Sequence, residues 1–171
     1  VRARSNVLFL GRSRHFGDVL VLEPLTRQLR AERPGIRIVW LTERAYAEVP
    51  AMFPSVDAVI AVSCESALAL LQRFWGRKIL VFHFDGWKCI RCFAAAKVKA
   101  VDPSITLENY YAEKRTLLDA NALVAGIVPT IRQVTLRLPD QTRSEVRAML
   151  LPPRYMVIHA LSTQSYREWP R

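Results

Sequence analysis

Two loops in this sequence hold residues arranged for chemistry. The first, Gly11-Arg12-Ser13-Arg14-His15-Phe16-Gly17-Asp18, follows a short apolar run and opens a helical pattern. That is where a phosphate cradle would sit. Its spacing matches neither common fingerprint. A P-loop ends in Gly-Lys-Ser/Thr, whereas Gly17 is followed by Asp18, and G-x-G-x-x-G is absent. A carboxylate at the helix start repels a phosphate placed directly there. The loop therefore suits a neutral, hydroxyl-bearing group beside Asp18, with Arg12 and Arg14 meeting any anion. Asp18 itself has two roles open to it. As a helix N-cap it would stabilise by about 1 kcal/mol; as a general base it would take a proton from a hydroxyl.

The second loop, His159-Ala160-Leu161-Ser162-Thr163-Gln164-Ser165-Tyr166-Arg167-Glu168-Trp169-Pro170, offers hydroxyls and an arginine after an apolar run. Ser and Thr donate hydrogen bonds and Arg supplies a charge-assisted fork, a set that suits a diphosphate. The same composition also fits an ordinary polar loop ahead of a helix-opening Trp-Pro. His83 and Asp85 close another apolar run, where a lone His-x-Asp favours a structural role. Trp87 could stack on a sugar or pack in the core.

These residues need a scaffold, and the pattern supplies one. Apolar runs at Val7–Leu10, Ile36–Leu41, Val56–Val62, Lys78–Phe84 and Tyr155–His159 read as strands. Val19, Leu22, Leu25 and Leu29 recur at helical spacing, so a helix is expected from Asp18, kinked at Pro24 and ended by Pro34-Gly35. Further helices are expected over Glu43–Val49, Ser66–Trp75, Trp87–Lys99, Leu107–Gly126 and Gln141–Leu150, and a strand at Val134–Leu138. Alternating strand and helix predicts an α/β fold: a Rossmann-like parallel sheet with helices on both faces. Such sheets bind ligands beyond the carboxyl ends of their strands, where both polar loops fall. A new unit starts after Pro152-Pro153, with a strand and a dozen residues beyond it.

The chain has 171 residues, 51% hydrophobic and 23% charged, enough for one domain with a true core. The net charge is +10, spread rather than clustered, which favours anionic partners. No recognition helix or stacking-aromatic motif points to nucleic acid. Three cysteines, Cys64, Cys89 and Cys92, are too few for a disulfide framework and fit a reducing compartment. The lone C-x-x-C lacks the four ligands of a structural zinc site, so no metal is expected; Cys89 should face the core with Cys92 nearby on one helix. No run of ~20 apolar residues spans a bilayer and no signal peptide opens the chain. The expected location is cytoplasmic, and the basic surface is compatible with peripheral contact to an anionic inner membrane.

The ordered set of motifs resembles the heptosyltransferase family, glycosyltransferase family 9. Val7–Leu10, Phe16-Gly17-Asp18-Val19-Leu20 and Pro24-Leu25 through Leu29 are similar to its N-terminal signature. Pro34–Ile38, Trp40–Glu43, Val56–Ile60, Tyr155–Ala160 and Arg167-Glu168-Trp169-Pro170 continue the likeness. The residues Arg12 to Phe16 and Trp87 to Cys92 depart from it. The resemblance implies a GT-B enzyme with two Rossmann-like domains and no cofactor or required metal. It implies inverting transfer of a sugar from a nucleotide-sugar donor, commonly ADP-heptose, to a glycan or lipopolysaccharide-core acceptor. Residues 1–150 would be the N-terminal acceptor domain. Residues 151–171 would be a linker and the first strand and loop of a truncated donor domain, so this piece alone would be inactive. Asp18 matches the proposed base; Arg12, Ser13, Arg14 and His15 line the expected acceptor loop; Ser162, Thr163 and Arg167 match donor-diphosphate positions. The competing expectation is a stand-alone basic α/β module for an anionic glycolipid or other polyanion, with salt-sensitive binding.

Overall fold

Apolar runs that bury both of their faces build the sheet. In the computed structural model, which describes residues 7–12, 15–64, 66–68, 70–71, 79–81, 87–89, 95–96, 116–124, 126–149 and 152, four apolar runs form strands. They are β1 (Val7–Gly11), β2 (Arg37–Glu43), β3 (Ala58–Val62) and β4 (Ile79–Val81). All pair in parallel in the order β3-β2-β1-β4. Leu10 stands level with Trp40 and Leu80, and Trp40 with Val59, and this row faces one core. The intervening row, with Phe9, Leu41 and Val62, faces a second core with Ala67, Leu68 and Leu71. Residues 66–68 and 70–71 are helical. Both faces of the sheet are therefore covered, as a parallel sheet requires.

The first core is filled by α1 (Phe16–Leu20), α2 (Glu23–Glu32), α3 (Glu48–Ala51) and α4 (Leu117–Val124). Trp40 is fully buried and meets Phe53 edge to face, ring centroids 5.5 Å apart, a favoured aromatic geometry. Pro24 divides the expected single helix in two. It has no N–H for the carbonyl of Leu20, so the chain turns at Val21-Leu22 and restarts with Pro24 in the first turn of α2. In place of one helix over Glu43–Val49, a short 3-10 turn, Arg44–Tyr46, precedes α3, and Pro50 lies inside α3. Thr116 and Asp119 cap α4 reciprocally: Asp119 N–H donates to Thr116 Oγ1 at 3.2 Å and Thr116 N–H to Asp119 Oδ2 at 3.2 Å. At its other end, Gly126 at φ 66° donates to Leu123 O and Ile127 to Ala122 O, a Schellman closure that needs a residue free to adopt positive φ.

Two expectations fail. Trp87–Lys88 and Ala95–Ala96 pair as short antiparallel strands, β5 and β6, where a helix was expected. Cys89 is buried beside β5, not on a helix, and Cys92 lies outside the described residues. Residues 134–138 form no strand. Their backbone is held by side chains and a loop carbonyl instead: Thr135 N–H donates to Glu23 Oε2 at 2.8 Å, and Arg137 N–H to Met52 O at 2.7 Å. No helix among the described residues is long and apolar enough to cross a membrane.

The chain divides into two compact units, Val1–Arg137 and Leu138–Arg171. In the second, α5 (Asp140–Ala148) buries no residue and leaves Val146 and Met149 exposed. The expected last strand, Tyr155–His159, lies outside the described residues.

Asp57 ties the amino ends of β2 and β3 together. Its Oδ2 accepts from Ile38 N–H at 2.6 Å and from Arg30 of α2, which also reaches Ser55 O at 2.8 Å. Burial opposes ionisation, but the Ile38 and Arg30 bonds outweigh it and hold the carboxyl below its ordinary 3.8. A depressed folded value stabilises fully above the unfolded value and loses that contribution as pH falls through the folded one. Resistance to urea should therefore fall below about pH 4 more steeply in the wild type than in Asp57→Asn. Equal slopes in the two proteins would contradict this.

Candidate functional site

The strand order sets the site. Connections from β1 run to β2 on one side, while β4 pairs on the other flank of β1. A parallel sheet opens a crevice where the order reverses, beyond the carboxyl ends of its strands. The loop that leaves β1 at this point is the one carrying Arg12 and Asp18.

Arg12 continues the ladder by one residue, its N–H donating to Leu41 O at 3.1 Å. Its side chain is nearly buried, and Arg12 Nη2 donates to Asp18 Oδ2 at 2.5 Å. Asp18 keeps part of its side chain, 28%, open to solvent. It is the third residue of α1, not the cap before it. The N-cap is His15, and no side chain caps that helix end. The capping role is thus overturned by the helix starting two residues earlier than expected. Asp18 still lies in the first helical turn, where the backbone dipole favours negative charge. Oδ2 is taken by Arg12, and Oδ1 has no hydrogen bond among the described residues.

His15 is exposed and adopts φ 63°, ψ 117°. This is a sparsely populated region for a residue with a Cβ, costing about 1–3 kcal/mol. Its carbonyl accepts from Val19 N–H at 3.1 Å, which starts α1. His15→Gly should raise stability by about 1 kcal/mol after the entropy lost to glycine is subtracted. A lower urea midpoint would refute the strain.

Gly17 differs from a structural glycine. Its φ is not positive, and an added Cβ would meet nothing within 4 Å. Neither strain nor packing calls for glycine there. Gly17→Ala should therefore stabilise α1 by about 0.5–1 kcal/mol. A lower urea midpoint in Gly17→Ala would contradict this.

Beside Arg12, the carboxyl end of β2 buries Thr42 and Glu43, at 0% and 3% exposure. The register places Thr42 next to Arg12, one step beyond the pair Gly11 and Leu41. Sequence reasoning placed Glu43 at the start of a helix and within the family-like stretch Trp40–Glu43, but not at the site. A charged residue directly ending the run Arg37–Thr42 was the available signal. Ser13 and Arg14 lie outside the described residues, as do His83, Asp85, Ser162, Thr163 and Arg167. The structure thus brings Arg12 and Asp18 together with His15 and Gly17 on one loop. No group of three metal-ligating side chains occurs among the described residues.

Solved structures share this fold. The crystal structure of a family 9 glycosyl transferase from Veillonella parvula DSM 2008 matches with a TM-score of 0.63. It covers 96% of this chain and 56% of its own, at 16% identity. E. coli heptosyltransferase WaaC matches in two states, with ADP-2-deoxy-2-fluoro heptose and with ADP. The TM-scores are 0.50 and 0.51 at 15% identity, over 96% of this chain and 62% and 61% of theirs. No family model and no curated protein sequence matches the chain. The chain spans 56–62% of the length of these structures. The parallel α/β sheet expected from the sequence is present, and its solved neighbours are glycosyltransferases of the family its motifs resemble.

Proposed function

We propose that this chain is the acceptor-binding part of an inverting glycosyltransferase resembling ADP-heptose:lipopolysaccharide heptosyltransferases. The observation that supports it most is Asp18. It is a part-exposed carboxylate at the sheet's switch point, braced on one oxygen and open on the other. In this reading residues 1–150 hold a glycan or lipopolysaccharide-core acceptor, with the loop from Arg12 through Ser13, Arg14 and His15 beside it. A second domain, beginning at residue 151, holds the nucleotide sugar, and Ser162, Thr163 and Arg167 meet its diphosphate. ADP-heptose fits as donor because the similar WaaC structures carry ADP or an ADP-heptose analogue.

The step is a single displacement. Asp18 takes the proton of an acceptor hydroxyl as its oxygen bonds to the anomeric carbon. The bond from that carbon to the diphosphate breaks on the opposite face, and the nucleoside diphosphate leaves with the electron pair. Holding acceptor and donor in register supplies much of the rate, so residues 1–150 alone should not turn over. The work falls at the cytoplasmic face of the membrane, where the +10 charge suits an anionic lipid surface.

The test is a transfer assay. Expressed with the coding sequence that adjoins it, the protein should move heptose from ADP-heptose to a lipopolysaccharide-core acceptor with inversion at the anomeric carbon. Tight, salt-sensitive binding of the acceptor without transfer would replace this reading with the polyanion-binding module.

A further inference from the structure

We infer that Arg12 is the positioning residue of this site: it fixes Asp18 by one carboxylate oxygen and so assigns Oδ1 as the proton-accepting atom. The inference rests on the base role proposed for Asp18. Charge alone would make Arg12 a contact for an anionic acceptor, and the geometry argues otherwise. Its side chain is 7% exposed, against 28% for the carboxylate it holds. Its donor Nη2 is engaged by Asp18 Oδ2 at 2.5 Å. A guanidinium whose charge is already met by a neighbouring carboxylate offers little field to a second anion.

The backbone explains why this brace is rigid. Arg12 belongs to the sheet, since its N–H completes a parallel hydrogen bond to Leu41 O at 3.1 Å. Asp18 belongs to a helix of five residues that ends before Pro24. So short a helix has little stability of its own. Left alone, the Asp18 side chain would sample rotamers at ordinary cost. The ion pair spans the loop and transfers the order of the sheet to the carboxylate. With Oδ2 occupied, the oxygen that bears no hydrogen bond among the described residues is Oδ1. An acceptor hydroxyl approaching the switch-point crevice would deliver its proton there.

A positioning residue and an anion contact differ kinetically. In the complete enzyme, Arg12→Gln should lower kcat about 10- to 100-fold with little change in the KM of acceptor or donor, because misplacement by an ångström costs up to about that much. Arg12→Lys should recover part of the loss. Arg12→Gln combined with Asp18→Asn should be no slower than Asp18→Asn alone, since residues acting as one unit are not additive. A raised acceptor KM with kcat preserved in Arg12→Gln would overturn the inference and make Arg12 an acceptor contact. Multiplying losses in the double variant would overturn it too. If Arg12→Gln does not fold, Arg12→Lys against Asp18→Asn carries the same cycle. A fully active Asp18→Asn protein would sink the base reading itself, a result distinct from either failure of the brace.

Discussion

Sugar transfer by the Asp18→Asn enzyme is expected to fall by about 10²- to 10⁴-fold in kcat, the range for loss of a general base. That is about 3–5 kcal/mol of lost transition-state stabilisation. Asn keeps the shape of Asp and can still accept from Arg12, so the fold and the brace survive while the proton acceptor is removed. The acceptor KM should stay within a few-fold of wild type, because the missing interaction forms only as the proton moves. Steady-state kinetics with ADP-heptose and a lipopolysaccharide-core acceptor, alongside a urea melt, separate the two quantities. A large KM effect with kcat intact would mean that Asp18 binds the acceptor but does not take its proton. A protein too unstable to assay would instead make the ion pair with Arg12 a structural element.

Glu23→Ala should destabilise the fold by about 3 kcal/mol, the lower end for breaking a buried ion pair. The melting temperature should drop by roughly 6–12 °C. Glu23 is fully buried at the start of α2. Its carboxylate accepts from Arg27 at 3.0 and 3.3 Å and from Thr135 N–H at 2.8 Å. Arg27 in turn donates to Gln133 O at 2.5 Å. Next to Arg27, Gln28 donates to Val128 O at 2.9 Å and accepts from Thr130 N–H at 2.8 Å. These side chains stand in for the missing strand: they satisfy backbone groups of residues 128–135 that no ladder pairs. Removing Glu23 takes away the acceptor of Thr135 N–H and frees Arg27 from the carboxylate that aims it. Because Arg27 is 32% exposed, water recovers part of the loss, which is why the low end of the range applies. Glu23→Gln, which keeps the acceptor for Thr135, should lose less. A loss below about 1 kcal/mol in Glu23→Ala, typical of an exposed pair, would show that the segment docks without this carboxylate.

Local sequence was enough for the elements of the sheet and for the position of the candidate loop on it. The apolar runs at residues 7–10, 36–41 and 56–62 became β1, β2 and β3, within a few residues at each end, because burial on both faces demands continuous apolar runs. Gly126 ended α4 because a Schellman turn needs positive φ. The loop from Gly11 to Asp18 could be placed at the ligand edge because, in a parallel sheet, every strand-to-helix loop lies there.

What the sequence could not decide were relations between distant residues. The order β3-β2-β1-β4 makes the β1 loop a switch point, yet spacing along the chain says nothing about which strand flanks which. Spacing left Asp18 open as a cap or as a base, because a carboxylate near a helix start can be either. Only the helix beginning at Phe16 and the nearness of Arg12 turned it into a braced carboxylate. The stretch 134–138 had strand-like residues, but Glu23 of α2 claims the N–H of Thr135 from 112 residues away, and Met52 O claims that of Arg137. Trp87–Lys88 and Ala95–Ala96, expected within one helix, paired as strands instead. Local periodicity records which face of an element is apolar. Which charge meets which, and which backbone group is left for a side chain to satisfy, depends on contacts made across the chain, and only the folded chain holds those.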